Sequence, residues 1–149
     1  MVRLPDPAAL RPFAQAHDLR LVVLFGSRAR GAHRDDSDLD LGLWLGRAPS
    51  AEERSAIVRG LVGLCGTDRL DLAFLDTASP LLVWEAARTG RPLFEASRGV
   101  FTDFCVRAFH RRDDARRFLA LVRTFLERFL AEADGRSHAR PARAGDPRR

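Results

Sequence analysis

A short apolar run, Leu21-Val22-Val23-Leu24-Phe25, stops at Gly26-Ser27, and the chain soon enters Ser37-Asp38-Leu39-Asp40-Leu41. This succession constrains the fold more than any other feature of the chain. The β-branched run reads as a strand covered on both faces. Gly26 permits a tight turn, and Ser27 to Arg30 form a first helical turn with Ser27 near its N-cap. Unpaired N–H groups and the positive end of the helix then point past the strand, which suits an anion. The same residues also suit a plain helix cap, and on this half alone both readings stand.

The second half carries the chemistry. Side chains on a strand alternate faces, so Asp38, Asp40, Gly42 and Trp44 share one side while Leu39, Leu41, Leu43 and Leu45 fill a core on the other. Two carboxylates about 7 Å apart along a strand repel unless cations bind there, and an all-oxygen donor set favours magnesium or manganese. Gly42, beside the pair, is expected to leave room for a ligand. Two metals acting on one phosphate need a further ligand, and Arg69-Leu70-Asp71-Leu72-Ala73-Phe74-Leu75 supplies one. There Leu70, Leu72 and Phe74 face one way and Asp71 and Ala73 the other, with Ala73 again small enough to keep that face open. Asp68 and Asp76 flank this strand and read as cap and turn residues. Turn and carboxylates together describe a site for a metal-bound nucleoside triphosphate.

These motifs resemble the signature of the nucleotidyltransferase superfamily whose best-known member is DNA polymerase beta, and most closely its small bacterial branch, the minimal nucleotidyltransferases. The likeness spans about residues 20 to 96 and is specific in its first half. It implies an α+β domain with a mixed sheet and flanking helices, ATP as substrate and two magnesium ions. In proteins similar to this one, residues matching Gly26 and Ser27 contact the β- and γ-phosphates, and acids matching Asp38 and Asp40 hold the metals. The acid matching Asp71 completes the metal set and helps activate the attacking hydroxyl. Arg30 matches a recurrent arginine that either contacts phosphate or pairs with a nearby acid, whereas Arg28 sits at a variable position and reads as solvent-facing. The resemblance further implies a setting: an antitoxin that adenylylates and binds a HEPN-type toxin in a hetero-oligomer. A small-molecule nucleotidyltransferase of the aminoglycoside-modifying kind and a non-catalytic binding subunit of the same fold are the competing readings.

With 149 residues the chain has room for one ordinary domain and is too short for a polymerase with separate substrate domains. Residues 1–97 read as the catalytic core, 98–134 as a C-terminal helical segment and 135–149 as a disordered basic tail. Within the core, helices are expected over Pro7–His17, from the capping box of Ser50 and Glu53 to Cys65, and over Ser79–Thr89 closed by Gly90, with a short strand Pro92–Glu95 after it. Cys65 and Cys105 cannot build a disulfide framework and lack metal-ligand spacing, so they read as apolar fillers. No apolar run reaches the roughly 18 residues a membrane span needs, and the N-terminal segment, with Pro5, Asp6 and Pro7, does not read as a signal peptide. A cytoplasmic protein is the expectation.

The sequence pI of about 10.9 is concentrated at one end. Residues 135–149 hold five arginines against Asp146, so four of the five net positive charges lie there. Such a tail is a solvated extension or a nucleic-acid contact; elsewhere nothing points to nucleic acid. Phe118, Leu119, Val122, Phe125, Leu126, Phe129 and Leu130 make an apolar stripe at helical spacing. Ahead of it Arg111-Arg112-Asp113-Asp114-Ala115-Arg116-Arg117 reads as a charged interruption or exposed turn. The stripe either packs on its own domain or receives a partner.

Overall fold

In the computed structural model residues 4–29, 31 and 38–137 are described, residues 132–137 by backbone alone. The elements run α1 (Pro7–Ala16), β1 (Leu21–Leu24), α2 (Gly26–Ala29), β2 (Leu39–Trp44), α3 (Ala51–Cys65), β3 (Leu70–Phe74), α4 (Pro80–Thr89), β4 (Arg91–Glu95) and α5 (Val100–Ser137). The chain divides into two compact units, residues 1–112 and 113–149.

Local chemistry starts the helices where the sequence places them. Asp6 accepts from the Ala8 N–H at 3.0 Å, with Pro7 at the first position of α1. Ser50 and Glu53 form the expected capping box, the Ser50 Oγ accepting from Glu53 N–H and the Glu53 carboxylate from Ser50 N–H. Ser79 caps α4, with Pro80 after it. The end of α4 differs from expectation. Gly90 is extended at φ −72° and is no left-handed cap; a β-carbon there would run into the Ala86 carbonyl, so glycine is required by close packing of the turn.

In the first unit the sheet order is β3-β2-β1-β4, with β1 antiparallel to both β2 and β4, and β2 parallel to β3. The parallel pair needs a crossover, and α3 provides it. One face of the sheet packs Val22, Leu43 and Leu45 against Leu10 and Ala14 of α1 and Ile57 and Leu61 of α3. The other packs Leu21, Val23 and Trp44 against Val83 and Ala86 of α4 and Val100, Phe104 and Ala108 of α5. Covered from both sides, β1 is buried along its whole length, as its unbroken apolar run requires. This is the α+β architecture with a mixed sheet and flanking helices anticipated from the sequence.

At the sheet end remote from Gly26, two polar ties fix the chain. Asp76 accepts from the Leu45 N–H at 2.9 Å, closing the exit of β2 onto the loop after β3. Burial pushes this carboxyl above its ordinary range, against the pull of the Leu45 and Gly46 amides. Arg111 donates to the Leu75 and Ala78 carbonyls at 3.3 and 3.1 Å, clamping the same loop.

The second unit is helical from Asp113 to Ser137. The expected interruption over Arg111–Arg117 is absent, because α5 runs through it without a break. Charge need not break a helix when it is paired along the axis, and Arg117 bonds Asp113 at 2.9 Å one turn away. The helix also takes in residues 135–137, which the sequence reading gave to the tail; residues 138–149 lie outside the described residues. Phe118, Phe125 and Phe129 are 65%, 67% and 58% exposed. Among the described residues, no helix is long and apolar enough to cross a membrane.

Candidate active site at the Gly26 end of the sheet

β1 delivers its last residues to the open end of the sheet. The Phe25 N–H donates to the Asp40 carbonyl at 3.1 Å, extending the antiparallel ladder one step beyond β1. Gly26 then turns the chain at φ +70°, and α2 begins there. A β-carbon at Gly26 would collide with the Asp40 carboxylate. The glycine therefore does two things: it adopts a left-handed backbone that a side chain resists, and it lets the turn lie directly against an acid. Ser27 is the second residue of α2 and half-buried. Arg28 is also half-buried, against the expectation that it faces solvent.

The carboxylates come from two strands. Asp40 and Asp71 are register partners in the parallel β2–β3 pair, which puts their backbones about 4.8 Å apart and both side chains on one face. Asp40 is half-buried and Asp71 exposed. Asp38 is exposed one residue ahead of β2. The Leu39 N–H donates to the Arg69 carbonyl at 3.1 Å, so the pairing of β2 and β3 is already established beside Asp38. Gly26, Asp40 and Asp71 are thus gathered at one end of the sheet, with Asp38 at its edge.

One step further along the strands the face closes. Gly42 pairs with Ala73, and both belong to the packed layer under α4 and α5. A β-carbon on Gly42 would meet Leu75 Cδ1 and Val23 Cγ1, each at 2.8 Å. The room left by Gly42 is therefore filled by core side chains and is not ligand space, a correction to the sequence reading. Ala73, read as keeping that face open, packs half-buried against the same cluster. The open floor ends at the Asp40–Asp71 pair.

Arg30 lies outside the described residues, as do residues 32–37 between the turn and the carboxylates. Cys65 and Cys105 are free, half-buried thiols that burial pushes above their ordinary range, in keeping with a packing role. The sequence reading missed the contact between Gly26 and the Asp40 carboxylate; the glycine after an apolar run was visible, but its partner depends on the β1–β2 register. It also assigned Asp76 to a turn and missed its bond to Leu45.

The suitability of this sheet end for divalent metal can be judged from its donors. They are hard carboxylate oxygens on adjacent strands, beside the Gly26 turn, and such donors fit magnesium or manganese. Among the described residues, no three His, Cys, Asp or Glu side chains converge closely enough to form a metal site without further ligands.

The sequence profile of the family described as polymerase beta, nucleotidyltransferase, matches residues 9–99. The chain belongs to that family. The match contains Gly26, Ser27, Asp38, Asp40 and Asp71 and stops where α5 begins. No curated protein matches the chain. Among solved structures, a toxin–antitoxin with AMP-PNP superposes with a TM-score of 0.63 at 19% identity, covering 84% of this chain and 98% of that one. A tri-AMPylated Shewanella oneidensis HEPN toxin in complex with MNT antitoxin matches with a TM-score of 0.57 at 17% identity, covering 83% and 95%. At these identities the likeness shows a shared fold.

Proposed function

We propose that this chain is a nucleotidyltransferase that moves AMP from ATP to an acceptor hydroxyl on a HEPN-type toxin, acting as that toxin's antitoxin in the cytoplasm. The observation that carries the reading is the Gly26 turn pressed against Asp40, with Asp71 in register beside it. The family match and the likeness to toxin–antitoxin structures, one of them with AMP-PNP, support it.

In this reading the Gly26 turn and the Ser27 hydroxyl hold the β- and γ-phosphates, while Asp38, Asp40 and Asp71 hold two magnesium ions. Ions held there would supply charge neutralisation at the phosphates and a lowered pKa for the acceptor hydroxyl. Asp71, the exposed member of the pair, takes the acceptor's proton. The acceptor oxygen forms a bond to the α-phosphorus, the bond to the bridging oxygen breaks, and pyrophosphate leaves in line.

The chain contains no tyrosine, so a tyrosine-linked AMP must reside on another protein. The test is incubation with ATP labelled at the α-phosphate, with and without any small helical protein that a neighbouring gene encodes. Label on the neighbour's hydroxyl is the expected result. Label confined to this chain, transfer to an aminoglycoside-type small molecule instead, or ATP binding without transfer would each overturn the reading.

A further inference from the structure

The family match ends at residue 99, whereas the helix continues to Ser137 and forms a compact unit of its own from Asp113. Seven large apolar side chains between Phe118 and Leu130 are 49% to 70% exposed. At roughly 100 Å² each, they present on the order of 700 Å² of apolar surface, more than a soluble monomer ordinarily leaves uncovered. Leu119 and Leu130 lie off the seam that the other five line, so two such faces would bury about 1,000 Å², at the lower bound for a specific protein interface.

The charges beside the stripe do not select a charged partner. Arg117 pairs with Asp113 and Arg123 with Glu127 inside the helix. From 113 to 131 there are four arginines against three acids, so two copies meet almost without net repulsion.

The spacing of the stripe sets the register in which two copies can pair. Phe118, Val122, Phe125 and Phe129 are separated by four, three and four residues, a pattern that reads the same in both directions. Laid antiparallel on itself, the helix sets Phe118 against Phe129 of a second copy and Val122 against its Phe125, with Leu121 beside the second copy's Leu121 on one flank and Leu126 beside its Leu126 on the other. Every apolar layer then finds an apolar layer at coiled-coil spacing. The two helix dipoles oppose, and the contact is isologous about a twofold axis.

We infer that residues 118–130 form a homodimerisation surface whose occupant is the same stripe of a second copy of this chain, paired antiparallel. It does not depend on the acceptor or on the chemistry at Asp40. The test is the mass of the full chain by sedimentation equilibrium over a range of concentrations, beside ATP affinity by calorimetry. Wild type is expected at twice the 16.6 kDa chain mass. Phe125→Glu, a change at an exposed position, is expected at the single mass with ATP affinity and helix content unchanged. Phe118→Glu alone should also be monomeric, and adding Phe129→Arg should restore the dimer, because opposite charges then face each other across the antiparallel pair. A wild-type monomer that associates only with a helical partner protein would overturn the proposal, as would a Phe125→Glu dimer. Failure of the double variant to recover would overturn the antiparallel register.

Discussion

Gly26→Ala separates the structural and chemical roles of the turn. At φ +70° an alanine pays about 1–2 kcal/mol for a left-handed backbone. Its methyl group would also land on the Asp40 carboxylate, and the Asp40 Cβ lies only 3.1 Å away, so rotating the carboxylate does not relieve the whole contact. Asp40 must shift, and a displacement of about 1 Å in a positioning group costs about 10²-fold in rate. Gly66→Ala is the matched control. Gly66 has a similar left-handed φ of +62°, and nothing lies within 4 Å of where its β-carbon would be. Urea denaturation should show a loss of about 1–2 kcal/mol for Gly66→Ala and a larger one for Gly26→Ala. Transfer of α-labelled phosphate should fall about 10²-fold in Gly26→Ala only. Full transfer by Gly26→Ala, or an equal fall in both variants, would mean that the contact with Asp40 does not govern transfer.

Ser27→Ala should weaken magnesium-ATP binding by about 1–2 kcal/mol, measured by calorimetry, while leaving the fold intact; unchanged affinity would make Ser27 a structural residue alone. Asp76→Ala strands the Leu45 and Gly46 amides and should cost about 1–3 kcal/mol in urea unfolding. Asp76→Asn keeps an acceptor and removes a charge that burial disfavours, so at pH 7 it should be as stable as wild type or more so; equal losses in the two variants would contradict this account. Hydrogen bonds from Arg47 and from the Ser50 amide hold the Glu53 carboxyl down to about 2, against an ordinary 4.5. Folded protein therefore binds this proton less tightly than unfolded chain, and the stabilisation is present above pH 4.5 and lost as pH falls towards 2. The stability gap between wild type and Glu53→Gln, followed by urea midpoints, should close across that window; a gap independent of pH would count against the pairing.

The parts of this fold visible in the sequence were those set by local chemistry. Asp6, Ser50 with Glu53, and Ser79 start their helices because a cap needs only its own few residues. The alternation of Asp40 with its leucines and of Asp71 with its own gave the right face for each, and the register then set the two side by side. What stayed hidden depended on distant packing. Gly42 lies on the same strand face as Asp40, and only the reach of Leu75 and Val23 decides that one position is open and the other filled. Gly90 ends α4 where it was expected, for a reason that lies in Ala86 and the packed turn. The charged stretch Arg111–Arg117 looked like a break because its ion pair along the axis and the Arg111 clamp on the loop after β3 are invisible without the helix.

The central claim, that the Asp40–Asp71 pair carries nucleotidyl transfer, is tested most directly by pyrophosphate release in the presence of magnesium, ATP and the acceptor protein. Wild type, Asp40→Ala and Asp71→Ala would be compared, with circular dichroism as the check on folding. Wild type is expected to release pyrophosphate in step with label reaching the acceptor. Either variant should fall by at least about 10³-fold, as expected when metal ligation or the proton acceptor is lost, with unchanged helix content. Release at the wild-type rate by folded Asp40→Ala or Asp71→Ala would mean that the pair does not carry the transfer.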